Sequence, residues 1–363
     1  MRTKFNSGLK ISFYLCFVGI IAFLTSCQKN EFYTFSDFYK VNKTDAHMHY
    51  RTTDLDFLLW ADSLKFKLIT PNVYYARDKQ FKVATTIQPK FPDKFAFFGT
   101  IEAHRYMEPD FIQNTIASID STMAAGAVGI KIWKNIGMEI QDSTGRYLMV
   151  DDPIFKPIFD YLEKKNIRLM AHLAEPRNCW LPMEEMTVAS QSNYYKKNPQ
   201  YYMYLHPEAP SYEDHMQSRD NLLIQHPNLE FIGAHLNSQE WSIDELGKSF
   251  ERFPTIKVDM SGRVNHLMHQ SLTRREDVRN FLIKYQDRIM YATDKGVNHN
   301  PDGYDKIKNE VLTKWLDEWT FLATDSTYEA PQLERKTIKG LQLPKKVIDK
   351  IFFQNAEYLF KSK

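Results

Sequence analysis

Eight short apolar runs punctuate this chain, with helical patterns between them. The runs are "TDAHMHY" at 44–50, "KLITPNV" at 67–73, "FAFFGTIE" at 95–102, "VGIKIWK" at 128–134, "IRLMAHL" at 167–173, "LEFIGAHL" at 229–236, "IKVDMSG" at 256–262 and "RIMYATD" at 288–294. Each has the length of a strand and the apolar content of one buried in a sheet. Between them, "DFIQNTIASIDSTMAAGA" at 110–127 and "DPIFKPIFDYLEKKN" at 152–166 read as helices, the second opening on Asp152 and Pro153 as cap and first turn. Eight strands alternating with helices predict an α/β fold, a closed parallel (β/α)8 TIM barrel over residues 44–363. The competing doubly wound sheet would need a glycine-rich phosphate turn after its first strand, and none is there. One connection is unusually long: about forty residues, from "AEPRNCWLPMEEM" to "YLHPEAPSYEDH", separate the fifth strand from its helix. Insertions of that length in compact domains are lids or binding loops.

Residues 1–27 do not read as part of that barrel. Arg2, Lys4 and Lys10 precede "ISFYLCFVGIIAFL" at 11–24, an apolar run too short and wrongly flanked for a membrane span, which predicts an export signal. An uncleaved N-terminal helical anchor is the alternative. The closing "LTSC", Leu24 to Cys27, resembles the lipobox of bacterial lipoproteins. That resemblance implies lipid on Cys27 and a folded part held to a membrane outside the cytoplasm. Residues 28–43, polar and aromatic without periodicity, are read as a tether. Of three cysteines, Cys16 would leave with the signal and Cys27 would carry lipid; Cys179 alone remains, so no intramolecular disulfide is expected. A formal charge of +2 without a long basic run argues against nucleic acid as a partner.

In a barrel of this kind the active site lies at the C-terminal ends of the strands, so the polar residues that close the apolar runs carry the information. His47 and His49 stand one residue apart in the first run; on a strand they would leave the same face and converge. His172 closes the fifth run, His235 the sixth and Asp294 the eighth. Any one of these is an ordinary rim residue. Four strands presenting such groups at one mouth point to a metal.

This pattern resembles the amidohydrolase superfamily, specifically the amidohydrolase-related branch, which includes hydrolases and non-oxidative decarboxylases. The similarity extends to "VIDKIFFQNAEYLF" at 347–360, which resembles the branch's C-terminal helix with its Asn-Ala pair, here Asn355 and Ala356. The resemblance implies a metal-dependent enzyme with His47, His49, His172 and Asp294 as ligands. It implies Asp294 as the group that takes a proton from a metal-activated water and passes it to the leaving group. His235 would polarise the substrate carbonyl, hold the hydroxide, or ligate a second metal. Nitrogen and carboxylate ligands suit a borderline divalent ion, zinc being expected, and bound water then ionises near neutral pH. Some superfamily members carry a carboxylated lysine bridging two metals where Lys131 stands. An uncarboxylated ammonium has no lone pair to offer. The resemblance implies that the strand-four lysine of this branch is often not a ligand, so one ion is expected, with two as the alternative.

Substrate handling falls to the loops. Trp133 and Lys134 follow the fourth strand, and Glu175, Arg177 and Trp180 follow His172. Arg177 and Lys134 are placed to grip a carboxylate, and the tryptophans to line an apolar pocket around a small-molecule substrate. Arg263 and His299 are lesser candidates. His266 and His269 share a helix face, while His206 and His226 precede proline in turns, and none of the four is expected to ligate. The expected reaction is hydrolysis of an amide, ester or lactone of a small organic molecule. Decarboxylation of an aromatic or unsaturated acid is the alternative within the branch, and a lipid-anchored binding protein without turnover the alternative outside it.

Overall fold

Strands β1 (Lys43–Asp45), β2 (Phe66–Pro71), β3 (Phe95–Thr100), β4 (Ile130–Ile132), β5 (Leu169–Ala171), β6 (Phe231–Gly233), β7 (Lys257–Asp259) and β8 (Ile289–Met290) lie side by side in chain order. They are seen in a computed structural model that describes residues 31–360. Every neighbouring pair is parallel. The sheet curls until its edges meet: Ala46 N donates to Tyr291 O at 3.0 Å and Asp294 N to His47 O at 2.9 Å. The (β/α)8 barrel is therefore the fold. All eight runs form strands, each shorter than its run, because the residues past the strand ends leave the ladder and turn toward the mouth.

Period-two alternation sorts the strand side chains into two apolar layers. Ile69, Ala96, Phe98, Met170, Ile232 and Met290 pack together in the barrel interior. Leu68, Phe95, Phe97, Ile130, Leu169, Phe231, Val258 and Ile289 pack outward with the helices. Ala356 and Leu359 join the inner layer, so the C-terminal segment plugs the end opposite the mouth. Asn355 Nδ2 fixes that plug by donating to Gln286 O at 2.6 Å and Ile289 O at 2.8 Å. The segment is not one regular helix: Lys350–Gln354 widens into a π-turn between Lys345–Asp349 and Asn355–Glu357. The carbonyl of Ile351 is instead taken by Tyr291 N at 2.8 Å.

Two local expectations need correction. The helix expected from Asp152 begins at Lys156, with Pro157 in its first turn. Asp152 serves the preceding turn, its carboxylate accepting from Met149 N and Arg146. The described part of the expected tether is packed rather than free. Its turn Phe35–Tyr39 buries Phe38 against Phe66 and Trp319, and the buried Lys43 ammonium donates to Phe38 O and Val41 O. Residues 1–30, with the expected signal and Cys27, lie outside the described residues. Among the described residues no helix is long and apolar enough to cross a membrane.

The insertion at 172–211 contains short turns and one helix, Ala189–Lys197, before the barrel resumes with the helix Tyr212–Gln225. It carries its own small core, with Tyr195, Tyr202 and Met203 around Cys179. Burial pushes the Cys179 thiol up to about 11, so it is an inert core residue.

Strand β4 passes so close to its neighbours that a Cβ at Gly129 would lie 2.7 Å from both Arg168 O and the Phe98 ring. Backbone cannot yield there as a flexible side chain could. Gly129→Ala is expected to destabilise the protein by about 1–3 kcal/mol, visible as a lowered midpoint in urea denaturation.

Candidate metal centre

Past Asp45 the first strand does not continue as one strand through both histidines. His49–Arg51 leaves it to form a two-stranded parallel ribbon with Gly296–Asn298. His47 thus sits in the joint between two pairings. The side chains nevertheless converge, with ring centroids 5.2 Å apart. His49 Nε2 lies 3.3 Å and His47 Nε2 3.7 Å from Asp294 Oδ1. One ligand atom from each of His47, His49 and Asp294 falls within 4.8 Å of the others. A divalent ion with bonds of about 2.0–2.2 Å spans such a set.

The orientation of His47 is imposed from behind. Its Nδ1 donates to Asp259 Oδ2 at 2.9 Å, which leaves the Nε2 lone pair directed at the cluster. Asp259 ends β7 and also accepts from His235 N at 2.9 Å and Ser261 N at 3.0 Å. Burial opposes its ionisation, but His47 and these hydrogen bonds outweigh it and hold the carboxyl well below the usual carboxylate range. Sequence reasoning missed this residue. The signal was available, because Asp259 closes an apolar run as His172 and Asp294 do.

His235 lies behind the cluster, its ring 5.1 Å from that of His47. Its Nδ1 donates to Ser261 O at 2.8 Å, and burial pushes the imidazole down to about 3. At neutral pH Nε2 therefore carries a lone pair and no proton. His172 stands outside the three-residue group, its ring 4.1 Å from that of His235. It is only 7% exposed, and its Nε2 is buried without a hydrogen-bond partner. Leaving such an atom unpaired is costly, and a ligand position accounts for it. The donor set fits a divalent ion, which His47, His49 and Asp294 would hold.

Burial also opposes ionisation of Asp294, but His235, His49 and His47 together keep its carboxyl well below its ordinary value. Burial pushes His49 down to about 4 and Lys131 down to about 8. Lys131 Nζ lies 2.8 Å from His47 Nε2, the same lone pair a metal would use. Strained backbone gathers at this mouth. Ala174 and Asp294 have φ of 64° and 62°, and residues 235–238 run through 59°, 56°, 59° and 56°. Left-handed residues other than glycine cost roughly 1–2 kcal/mol each, and they persist where the surroundings over-determine them.

The mouth opens into a cavity of about 420 Å³. Trp133 and Lys134 line it as expected. Trp133 packs 5.5 Å from Tyr74 and 5.7 Å from Tyr75, and Lys134 pairs with Glu175. Arg177 and Trp180, expected at the substrate, do not line it. Arg177 stacks 4.1 Å over Trp241, and Trp180 Nε1 donates to Pro210 O at 3.1 Å, because the turn Arg177–Trp180 carries both away from the mouth. Arg263 and Arg51 line the cavity instead. Arg51 was overlooked although it follows His49 by two residues. His299 is exposed and outside the cavity lining, and His206, His226, His266 and His269 stay outside the His-His-Asp group.

Residues 102–361 match the amidohydrolase family model. The chain belongs to the amidohydrolase family. It is an enzyme of that superfamily, built on the superfamily's barrel with a His-His-Asp group at the mouth. Among solved structures it is similar to 2,6-dihydroxybenzoate decarboxylase complexed with 2,6-dihydroxybenzoate, at 16% identity and TM-score 0.48 over 88% of this chain and 99% of that one. It is also similar to an amidohydrolase from Pseudomonas aeruginosa, at 10% identity and TM-score 0.46 over 91% and 99%. A third is 5-carboxyvanillate decarboxylase from Novosphingobium aromaticivorans with bound manganese, at 15% identity and TM-score 0.43 over 89% and 98%. No curated protein is significantly similar.

Asp259→Asn removes the charge that orients His47 while keeping its shape. Divalent-metal affinity should fall roughly 10–100-fold, read by chelator competition on protein whose circular dichroism is unchanged.

Proposed function

We propose that this amidohydrolase is a metal-dependent hydrolase that opens an amide, ester or lactone of a small, carboxylate-bearing organic molecule. The observation that carries the proposal is the convergence of His47, His49 and Asp294 at the floor of a walled cavity. A divalent ion held by His47, His49 and Asp294, zinc being expected, would supply a water that ionises near neutral pH and a Lewis acid for the scissile carbonyl. The remaining work belongs to the chain. Asp294, ionised and within reach of both histidines, accepts the proton of the attacking water and returns it to the leaving group. His235, neutral, accepts a hydrogen bond from that water through Nε2 and fixes its approach. Tyr75 and Trp133 form an aromatic wall against which a flat substrate packs.

Two guanidinium groups favour an anionic substrate. Arg51 donates to Tyr75 Oη at 3.2 Å and Arg263 to the Gly262 carbonyl at 3.1 Å. The Nε of each is buried without a partner. Charge-assisted bonds to a substrate carboxylate would satisfy both.

The test supplies metal-loaded protein with small aromatic and aliphatic carboxylates carrying an amide, ester or lactone. Hydrolysis without carbon dioxide is expected, and Asp294→Asn should lower kcat by at least about 10²-fold. Carbon dioxide release without hydrolysis would make the enzyme a decarboxylase. Full metal occupancy with no turnover across both substrate classes would leave a binding protein. In the same assay Arg263→Met is expected to raise KM roughly tenfold or more with little change in kcat, as the loss of a charge-assisted bond requires.

A further inference from the structure

Asp45 ends β1, two residues before His47, and takes no direct part in the cluster. It is fully buried, and one carboxylate collects four donors: Thr293 Oγ1 at 2.5 Å, Thr293 N at 3.0 Å, Trp315 Nε1 at 3.2 Å and His47 N at 3.3 Å. These come from three places, namely the end of β1, the stretch leaving β8, and the long helix Asp305–Ala323. The helix contributes a rigid donor, since the Trp315 ring is stacked 3.7 Å from Phe66 and 5.5 Å from Trp60.

Asp294 needs such an anchor. Its φ of 62° lies in the left-handed region, which a non-glycine residue keeps where its surroundings over-determine it. Its own N–H is held by His47 O at 2.9 Å, and the residue before it is held at both N–H and hydroxyl by Asp45. A single carboxylate thereby sets the backbone of one ligand and the approach to another. We propose that Asp45 is a positioning residue of the metal centre, holding His47 and Asp294 in the one relative placement in which their side chains share an ion. This rests on the metal reading above.

The experiment measures the Kd of the full-length protein for Zn²⁺ alone by chelator competition, together with the rise in melting temperature that Zn²⁺ produces. Asp45→Asn presents an amide N–H to groups that are themselves donors. Its Kd is expected to rise roughly 10–100-fold and its Zn²⁺-induced stabilisation to shrink accordingly. Thr293→Val removes one of the four bonds and should weaken Zn²⁺ roughly 3- to 10-fold, while Thr293→Ser restores wild-type affinity. If Asp45→Asn does not fold, the valine and serine pair decides. A merely structural role would lower the melting temperature of the metal-free variants and leave the Kd of the folded protein within about twofold of wild type, which would overturn the proposal. Wild-type protein that binds no Zn²⁺ would overturn the metal reading and this with it. Wild-type binding alongside unchanged variants overturns this alone.

Discussion

The hydrogen bond from Asp294 N to His47 O, 2.9 Å long, belongs at once to the barrel and to the site. Together with the bond from Ala46 N to Tyr291 O it seals the eight-stranded sheet by joining its last strand to its first. It also brings together two candidate ligands, His47 and Asp294, separated by most of the chain. A barrel that closed in another register would carry the same residues and no cluster. The seam is short, with β8 only Ile289–Met290, so side-chain bonds from Asp45 and, from the C-terminal plug, the main-chain bond to Ile351 O and the Asn355 side chain share the task of holding it.

Around that seam the electrostatics are arranged by burial. His49, His172 and His235 are all pushed toward their neutral forms by loss of water, which leaves nitrogen lone pairs available at physiological pH. Asp259 and Asp294 lose the same hydration yet are held toward their ionised forms, Asp259 by His47 and by hydrogen bonds that include the His235 and Ser261 amides, Asp294 by the imidazoles of His235, His49 and His47. Neutral nitrogens beside ionised oxygens are what a divalent cation requires. The left-handed residues at the mouth are the conformational cost of aiming those groups inward, and the packed strands beneath hold them there.

Much of this was legible in the residues. The eight apolar runs identified every barrel strand, since strands buried on both faces leave an unbroken apolar signature. His47, His49 and Asp294 were found as polar residues closing or interrupting such runs, and the structure brings those three together. Asp259 closed its run in the same way and went unread, because its partner, His47, lies 212 residues away. Arg177 and Trp180 illustrate the opposite failure. Position after a catalytic strand said nothing about direction, and a single 3₁₀ turn sent both outward.

The sequence by itself determined the kind of fold and the chemical character of its mouth. Hydrophobic periodicity is a local property, and strand-closing histidines and carboxylates are local features, so both could be read in short windows. Tertiary structure decided which groups meet, which tautomer each histidine adopts, and which cations face the cavity. Those outcomes depend on contacts between residues far apart in the chain, on backbone conformations such as the left-handed turn at 235–238, and on the depth of burial that sets each protonation state. None of these is encoded in spacing, because each arises only when the barrel has closed.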